Sequence, residues 1–251
     1  SDLSLSTIPK IQTVETRESF ARFVAEPLDN GFGVTLGNSL RRVMLGHLPG
    51  AAITHAKIDG IQHEFTAIPH VKEDVIDFLL NVKAIRIKAL TDKPGKLYLN
   101  VSGEGRVTAA DIKASAEFEI INPELYLATL DSKAAKLNVE FEVGLGTGFK
   151  QADATENLPV GVIPIDAIFT PVRKVNYVIE PLHLGQETSL ERLILEIWTD
   201  GTMEAEVALS LSAETLNELL VPFANFGRVA DVKVGKEAPD TTPSNNHFDM
   251  P

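Results

Sequence analysis

Residues 26–43 read EPLDNGFGVTLGNSLRRV, which joins a chain reversal to the start of a helix. The reversal contains Pro27, Asn30 and Gly31, residue types that favour turns. Beyond it, apolar side chains recur at helical intervals, so the sequence predicts a helix over residues 35–48. The apolar stripe of this first helix consists of Leu36, Leu40, Val43, Met44 and Leu48.

Outward from this helix, the sequence alternates short strand patterns with two more helical patterns. It predicts a hairpin around Asp59-Gly60 within residues 51–65, because this pair suits a two-residue turn. Helices are predicted over 71–84 and about 203–226, the second kinked at Pro222. Strand candidates lie at residues 8–26, 85–90, 96–101, 117–121, 125–130, 136–143, 172–180 and 190–198.

The first and last of these helices lie at opposite ends of the chain, with a β-rich middle between them. We therefore expect an α+β fold in which residues 1–49 and 172–235 form one discontinuous domain, a sheet plus two long helices. Residues 50–171 form the inserted β-rich domain. Residues 236–251 are polar and proline-rich, and they are predicted to be a disordered tail. Surplus apolar helix surface commonly indicates self-association.

Composition excludes several classes of protein. The 251 residues are 44% hydrophobic, which is unlike a disordered chain, and 35 Asp and Glu against 23 Lys and Arg give a net charge of −12. No general attraction to nucleic acid or anionic membranes is expected. Cysteine is absent, which excludes disulfides and thiolate chemistry. No long apolar run or targeting signal is seen, so a cytoplasmic location is expected.

The side of the first helix opposite its apolar stripe has an unusual composition. Asn38, Arg42 and Leu45 point that way, with Arg41 on the flank. Arginine beside an apolar neighbour is typical of a protein-binding hot spot. The alternative is that Leu45 packs on its own chain and Arg42 pairs with a carboxylate of the same chain, which on composition alone is the more common case.

Motifs that carry chemistry are weak in this sequence. Gly31-Phe32-Gly33 precedes a helix but lacks the remaining glycine and the Lys-Ser/Thr of phosphate-binding loops, so it predicts a turn. The run from Gly144 to Gly148 predicts a flexible hairpin connection. His55 and His63 could face each other across the predicted hairpin, but no third and fourth ligands are evident. We predict no catalytic residue, no metal and no cofactor.

Residues 26–43 closely resemble the signature of the N-terminal region of the bacterial-type RNA polymerase α subunit. Further matching segments follow in the order of that family and span about residues 8–227. They are Leu48-Pro49-Gly50, His63-Glu64-Phe65, Val71-Lys72-Glu73-Asp74-Val75, Leu80-Asn81-Val82-Lys83, Pro171-Val172-Arg173-Lys174-Val175 and Thr199-Asp200-Gly201-Thr202.

The resemblance implies a non-catalytic α subunit of a DNA-directed RNA polymerase, which homodimerises and scaffolds assembly of the large β and β′ subunits. Polymerisation would belong to those partners. The dimer interface that it implies comprises Phe32, Leu36, Leu40, Val43, Leu216, Leu220 and Phe223. The β and β′ contacts that it implies are Arg42 and Leu45, with Asn38 and Arg41 beside them and Lys83 on the second helix.

The resemblance also sets expectations about other partners. Omega and sigma would meet this chain only through the complex, which is nucleoid-associated, and no direct DNA contact is expected from this region. We expect the sequence to stop in the linker before a second domain that binds promoter DNA and activators in the family. Departures from the family pattern are Ala205, where many members carry proline, and Gly144–Lys150, which replaces a more basic loop.

Two other classes of function compete with this interpretation. One is a small-molecule enzyme that uses the glycine-rich turn before the first helix, and it predicts nucleotide or metal binding by the isolated chain. The other is a stand-alone regulator that self-associates but binds no large subunit. Recovery of the large subunits together with the dimer separates the second alternative from the α-subunit hypothesis.

Overall fold

The computed structural model describes residues 8–153, 158–184 and 187–226, and the predicted tail at 236–251 lies outside these ranges. The helices are α1 (Phe32–Gly46), α2 (Val75–Lys83) and α3 (Ala205–Asn225), with a 3-10 turn at Ala109–Asp111. The strands are β1 (Lys10–Arg17), β2 (Phe20–Asp29), β3 (Pro49–Ile58), β4 (Ile87–Ala89), β5 (Gly95–Ser102), β6 (Gly105–Thr108), β7 (Phe118–Ile120), β8 (Tyr126–Leu130), β9 (Lys136–Thr147), β10 (Phe149–Lys150), β11 (Val162–Pro164), β12 (Ala167–Ile168), β13 (Val172–Leu184) and β14 (Glu187–Thr199).

The described residues pack around two large, separate hydrophobic cores. One core draws on both ends of the chain, whereas the other lies wholly in the middle. The core changes between Leu48 and Ala51, and it changes back between Ile165 and Val172. We call the parts around these cores the discontinuous unit and the inserted unit. The predicted α+β fold with a β-rich insert is confirmed.

The discontinuous unit is built on a four-stranded antiparallel sheet in the order β1-β2-β14-β13. Alternate residues of β2, such as Phe23, are buried, and Phe23 pairs in register with the buried Leu195 of β14. The buried side chains face α1 and the start of α3, which gives the sheet one apolar face. The other face carries charged pairs, such as Arg22 with Glu196, whose Nη2 and Oε1 atoms lie 2.7 Å apart.

The inserted unit contains a second, mixed-length sheet in the order β5-β9-β3-β4-β7, to which β11 adds beside β3. Its core includes Phe141 on β9 and Phe78 on α2, both fully buried. Helix α2 turns Val75, Phe78 and Val82 inward at helical spacing. Two short ribbons, β6-β8 and β10-β12, lie beside this sheet.

The hairpin predicted around Asp59-Gly60 is wrong. Strand β3 ends at Ile58, and the pair makes a turn, but no strand follows it up to residue 65. The reason is competition for the edges of β3. Strand β9 pairs along one edge, and β4 and β11 occupy the other, so the segment after Gly60 finds no free edge.

Two further elements differ from the predictions, the start of α2 and the glycine run after residue 143. Helix α2 begins at Val75, not at residue 71, because the amide of Lys72 donates to the carbonyl of Thr129 and Asp74 caps the helix. The supposedly flexible glycine run is mostly strand, since β9 continues to Thr147. Gly146 has no side chain there because a Cβ would lie 2.9 Å from the ring of Phe169.

Helix α1 lies unusually close to the sheet because glycines face it. A Cβ on Gly37 would lie 2.8 Å from Cδ2 of Tyr177, and one on Gly33 would lie 3.1 Å from a side-chain carbon of Ile179. Both glycines are buried. The larger side chains that follow on the buried side are Leu40 and Met44, which join the core of the discontinuous unit.

We predict that Gly37→Ala destabilises the protein, because its methyl group overlaps the Tyr177 ring in a packed contact. Such overpacking typically lowers the free energy of unfolding by about 1–3 kcal/mol. Gly46→Ala is the matched control, since nothing lies within 4 Å of its Cβ position on the same helix. Urea unfolding at one fixed protein concentration measures both variants. Equal midpoints for the two would contradict the close contact between α1 and the sheet.

Candidate protein-binding faces of the first helix

The N-terminus of α1 is anchored by a carboxylate from a neighbouring strand. Gly31 has φ of 90°, a left-handed conformation that suits glycine, and the helix begins immediately afterwards at Phe32. Oε1 of Glu191 accepts from the Gly31 amide and Oε2 accepts from the Gly33 amide, each at 3.1 Å. The helix thus starts earlier than the predicted residue 35, because β14 supplies the cap.

The same contact bears on the phosphate-binding alternative. A phosphate at a helix N-terminus is held by the free backbone amides there. In this turn, the Gly31 and Gly33 amides already donate to the Glu191 carboxylate. A bound phosphate would have to displace that carboxylate, so the geometry favours the predicted structural turn.

One side of α1 exposes apolar side chains that continue onto α3. Phe32 and Leu36 are exposed on α1, while Leu220 and Phe223 are 60% and 77% exposed on α3. Leu40 and Leu216 are half-buried between these positions. We call this set the apolar seam: Phe32, Leu36, Leu40, Leu216, Leu220 and Phe223.

Val43 differs from the other residues predicted for a dimer interface. Its side chain is only 6% exposed, so it is already buried within the protomer. The helical stripe placed Val43 with Leu36, and the two lie two turns apart on nearly the same side of α1, yet Leu36 is exposed whereas Val43 is buried. Val43 therefore adds little surface to the apolar seam.

The opposite side of α1 exposes three polar side chains. Asn38, Arg41 and Arg42 are all exposed. In the described part of the chain, no carboxylate or other group pairs with either guanidinium or with the Asn38 side chain. The alternative in which Arg42 pairs with a carboxylate of its own chain is thus not seen. We call Asn38, Arg41 and Arg42 the arginine face.

Leu45 borders the arginine face but does not stand free in solvent. It is half-buried and packs against the core of the discontinuous unit. The packing half of the alternative interpretation thus holds for Leu45, and a partner would meet only the edge of this side chain.

Lys83 lies at the C-terminus of α2 and is already paired. Its Nζ atom is 2.8 Å from Oδ2 of Asp166, and it lies 5.7 Å from the centre of the Phe149 ring. The other carboxylate oxygen of Asp166 accepts from the Ala152 amide at 2.8 Å. The Ala152 amide and the Lys83 ammonium hold the pKa of Asp166 below its usual value, so the carboxylate is ionised near neutral pH.

Sequence reasoning missed a second carboxylate that links elements. Glu73 accepts hydrogen bonds from the Tyr126 hydroxyl and from the Thr129 amide. Burial raises the pKa of Glu73, yet these hydrogen bonds outweigh it and lower the pKa overall. The network ties the start of α2 to β8. No signal in the sequence indicates it, because Tyr126 is 53 positions from Glu73 along the chain.

The described residues contain neither a cluster of side chains that could hold a metal ion nor a helix that could cross a membrane. No group of three or more histidine, aspartate or glutamate side chains there is arranged to hold a metal ion. None of the helices in the same residues is long and apolar enough to cross a membrane.

Comparison with known proteins places the inserted unit and the whole chain in one family. Residues 56–170 match the family model described as RNA polymerase Rpb3/RpoA insert domain. The DNA-directed RNA polymerase subunit alpha of Dehalococcoides mccartyi is 53% identical over 97% of this chain and 74% of its own length. That of a Roseiflexus species is 48% identical over 95% and 72%.

A third relative with the same description, from Symbiobacterium thermophilum, is 47% identical over 92% of this chain and 75% of its own length. The chain therefore belongs to the family of bacterial DNA-directed RNA polymerase α subunits. Its resemblance in sequence is confirmed, and membership makes it a component of the RNA polymerase complex that carries out transcription.

We predict that Glu191→Gln weakens the anchor of α1. Glutamine keeps one acceptor oxygen, but its amide nitrogen would face a backbone donor, and the charge that favours a helix N-terminus is lost. We expect the free energy of unfolding to fall by about 1–2 kcal/mol. Glu18→Gln is the control, because Glu18 is exposed and makes no described contact. Unfolding midpoints that do not differ between the two would refute the anchor.

Proposed function

We propose that this α subunit homodimerises through the apolar seam and presents the arginine face to the β and β′ subunits. The dimer then scaffolds assembly of the polymerase. The observation that carries the proposal is the arrangement of α1, on which an exposed apolar side lies opposite an arginine side that has no partner among the described residues. One helix thereby faces two partners.

The end of α3 supports self-association. Its first turns pack on the core through Ala205 and Ala208, but residues 219–226 are exposed and carry no charged side chain. Exposure of an apolar helix end to water is unfavourable, because burial of apolar surface contributes roughly 25 cal/mol of favourable free energy per Å². A second copy offers the same surface in a twofold arrangement. The proposed interface would cover about 1,600 Å² or more.

The arginine face supports a different kind of contact. An arginine offers five donors in a planar fork and stacks on apolar and aromatic groups, so it serves often as an anchor in protein interfaces. Neither Arg41 nor Arg42 has to leave a described partner before it binds. In a homodimer this face occurs twice, and it would meet β on one copy and β′ on the other.

We predict that Leu220→Asp converts the dimer to monomers. The substitution places a carboxylate in the apolar seam, and the twofold axis doubles its cost. The dissociation constant of the dimer should rise by at least about 100-fold. Leu80→Asp on the inserted unit is the matched control, since Leu80 is also 60% exposed. Size-exclusion chromatography with light scattering measures the molar mass of both variants. A dimeric Leu220→Asp protein would contradict the proposed role of the apolar seam.

We predict that Arg42→Ala weakens binding of a large subunit by about 30-fold or more, the size of a hot-spot loss. The dimer should persist, because Arg42 lies away from the apolar seam. Arg17→Ala is the control, since Arg17 is exposed and pairs with Glu15 on the same strand, β1, and not on α1. Recovery of co-expressed β and β′ on tagged dimer measures the effect. Unchanged recovery would contradict the arginine face, and no recovery with unmodified protein would favour the stand-alone regulator.

A further inference from the structure

The ion pair between Lys83 and Asp166 connects three parts of the inserted unit. Lys83 belongs to the last turn of α2, and Asp166 directly precedes β12. Through its second oxygen, Asp166 also holds the Ala152 amide, just beyond β10. One carboxylate therefore fastens both arms of the β10-β12 ribbon, and one ammonium ties that ribbon to the helix.

The position of Phe149 depends on the same pair. Phe149 begins β10 and pairs in register with Ile168 of β12, and its ring lies beside the Lys83 ammonium. Phe149 is 60% exposed. Leu80, one turn before Lys83 on α2, is exposed as well. The pair thus fixes where an aromatic ring stands relative to an exposed apolar side of α2.

The charge of Lys83 is used differently from that of Arg42. The Arg42 guanidinium has no described partner, whereas the Lys83 ammonium is 28% exposed, ion-paired at 2.8 Å and close to a ring. Where a charge gives up such partners to contact another subunit, that loss offsets much of the new contact. A charge that holds its own chain in place retains them when the subunit binds.

This inference rests on the proposed function. We propose that Lys83 is a positioning residue, which acts on large-subunit assembly through Asp166. Together the two side chains hold the segment from Phe149 to Ala152 against α2, and the large subunit meets that ordered segment. The ammonium itself makes no contact with the partner.

Two variants separate this role from a direct contact. Lys83→Met removes the charge but keeps an apolar stem. Asp166→Asn keeps an oxygen that accepts from the Ala152 amide but turns a donor towards Lys83, so it breaks the ion pair alone. If Lys83 positions the segment, both variants lower recovery of co-expressed β and β′ by a similar, roughly two- to five-fold factor, and the double variant is no worse than either.

Amide hydrogen exchange in the homodimer provides a readout without any partner. Both variants should speed exchange in the segment from Phe149 to Ala152, while Lys83→Arg, which keeps the ion pair, should restore protection and assembly. If Asp166→Asn leaves recovery unchanged or raises it while Lys83→Met lowers it, Lys83 contacts the partner directly and the inference is wrong. Unchanged recovery in both variants also overturns it.

The same experiment distinguishes failure of the inference from failure of the proposed function. Arg42→Ala and unmodified dimer are measured in parallel with the variants of the pair. If unmodified dimer recovers β and β′, and Arg42→Ala does not, any failure belongs to the Lys83 inference alone. If unmodified dimer recovers neither large subunit, the scaffold proposal fails, and the positioning role falls with it.

Discussion

The close contact between α1 and the sheet is the constraint on which the exposed surface of the discontinuous unit depends. Glycines at 33 and 37 let the helix backbone approach Ile179 and Tyr177 with no side chain between them. Glu191 fixes the start of the helix from the same sheet. Because the glycines use the buried side, Phe32 and Leu36 must point outward. Backbone packing at Gly33 and Gly37, together with Leu40 and Met44 of the apolar stripe, sets the rotation of the helix.

This rotation shows how far the sequence could predict the surface. The spacing of Leu36, Leu40 and Val43 indicated a helix correctly, but it indicated one apolar side that faces a single partner. In the structure, Val43 is buried and Leu36 is exposed, although they lie two turns apart on nearly the same side of α1 and the hydrophobic pattern treats them alike. The family resemblance implied which residues of this side form an interface, and the structure separates the buried ones from the exposed ones.

Long-range pairing limited the rest of the prediction. The turn at Asp59-Gly60 was found, but the hairpin was not, since distant β9 and β11 occupy both edges of β3. The start of α2 was set by hydrogen bonds that the Thr129 carbonyl and the Asp74 side chain accept. Charges followed the same rule, because Glu73, Lys83 and Glu191 each find a partner on an element remote in sequence. Local periodicity contains no information about such partners.

The sheet of the discontinuous unit closes only when β14 joins β2, and the Glu191 carboxylate that caps α1 comes from 160 positions further along the chain. A ribosome releases the N-terminal strands and α1 long before it makes that carboxylate, and domains tend to fold as units as they emerge. The inserted unit can therefore fold first, while the early helix waits without its anchor. In the proposed dimer, pairing of two copies would therefore wait until β14 has been made.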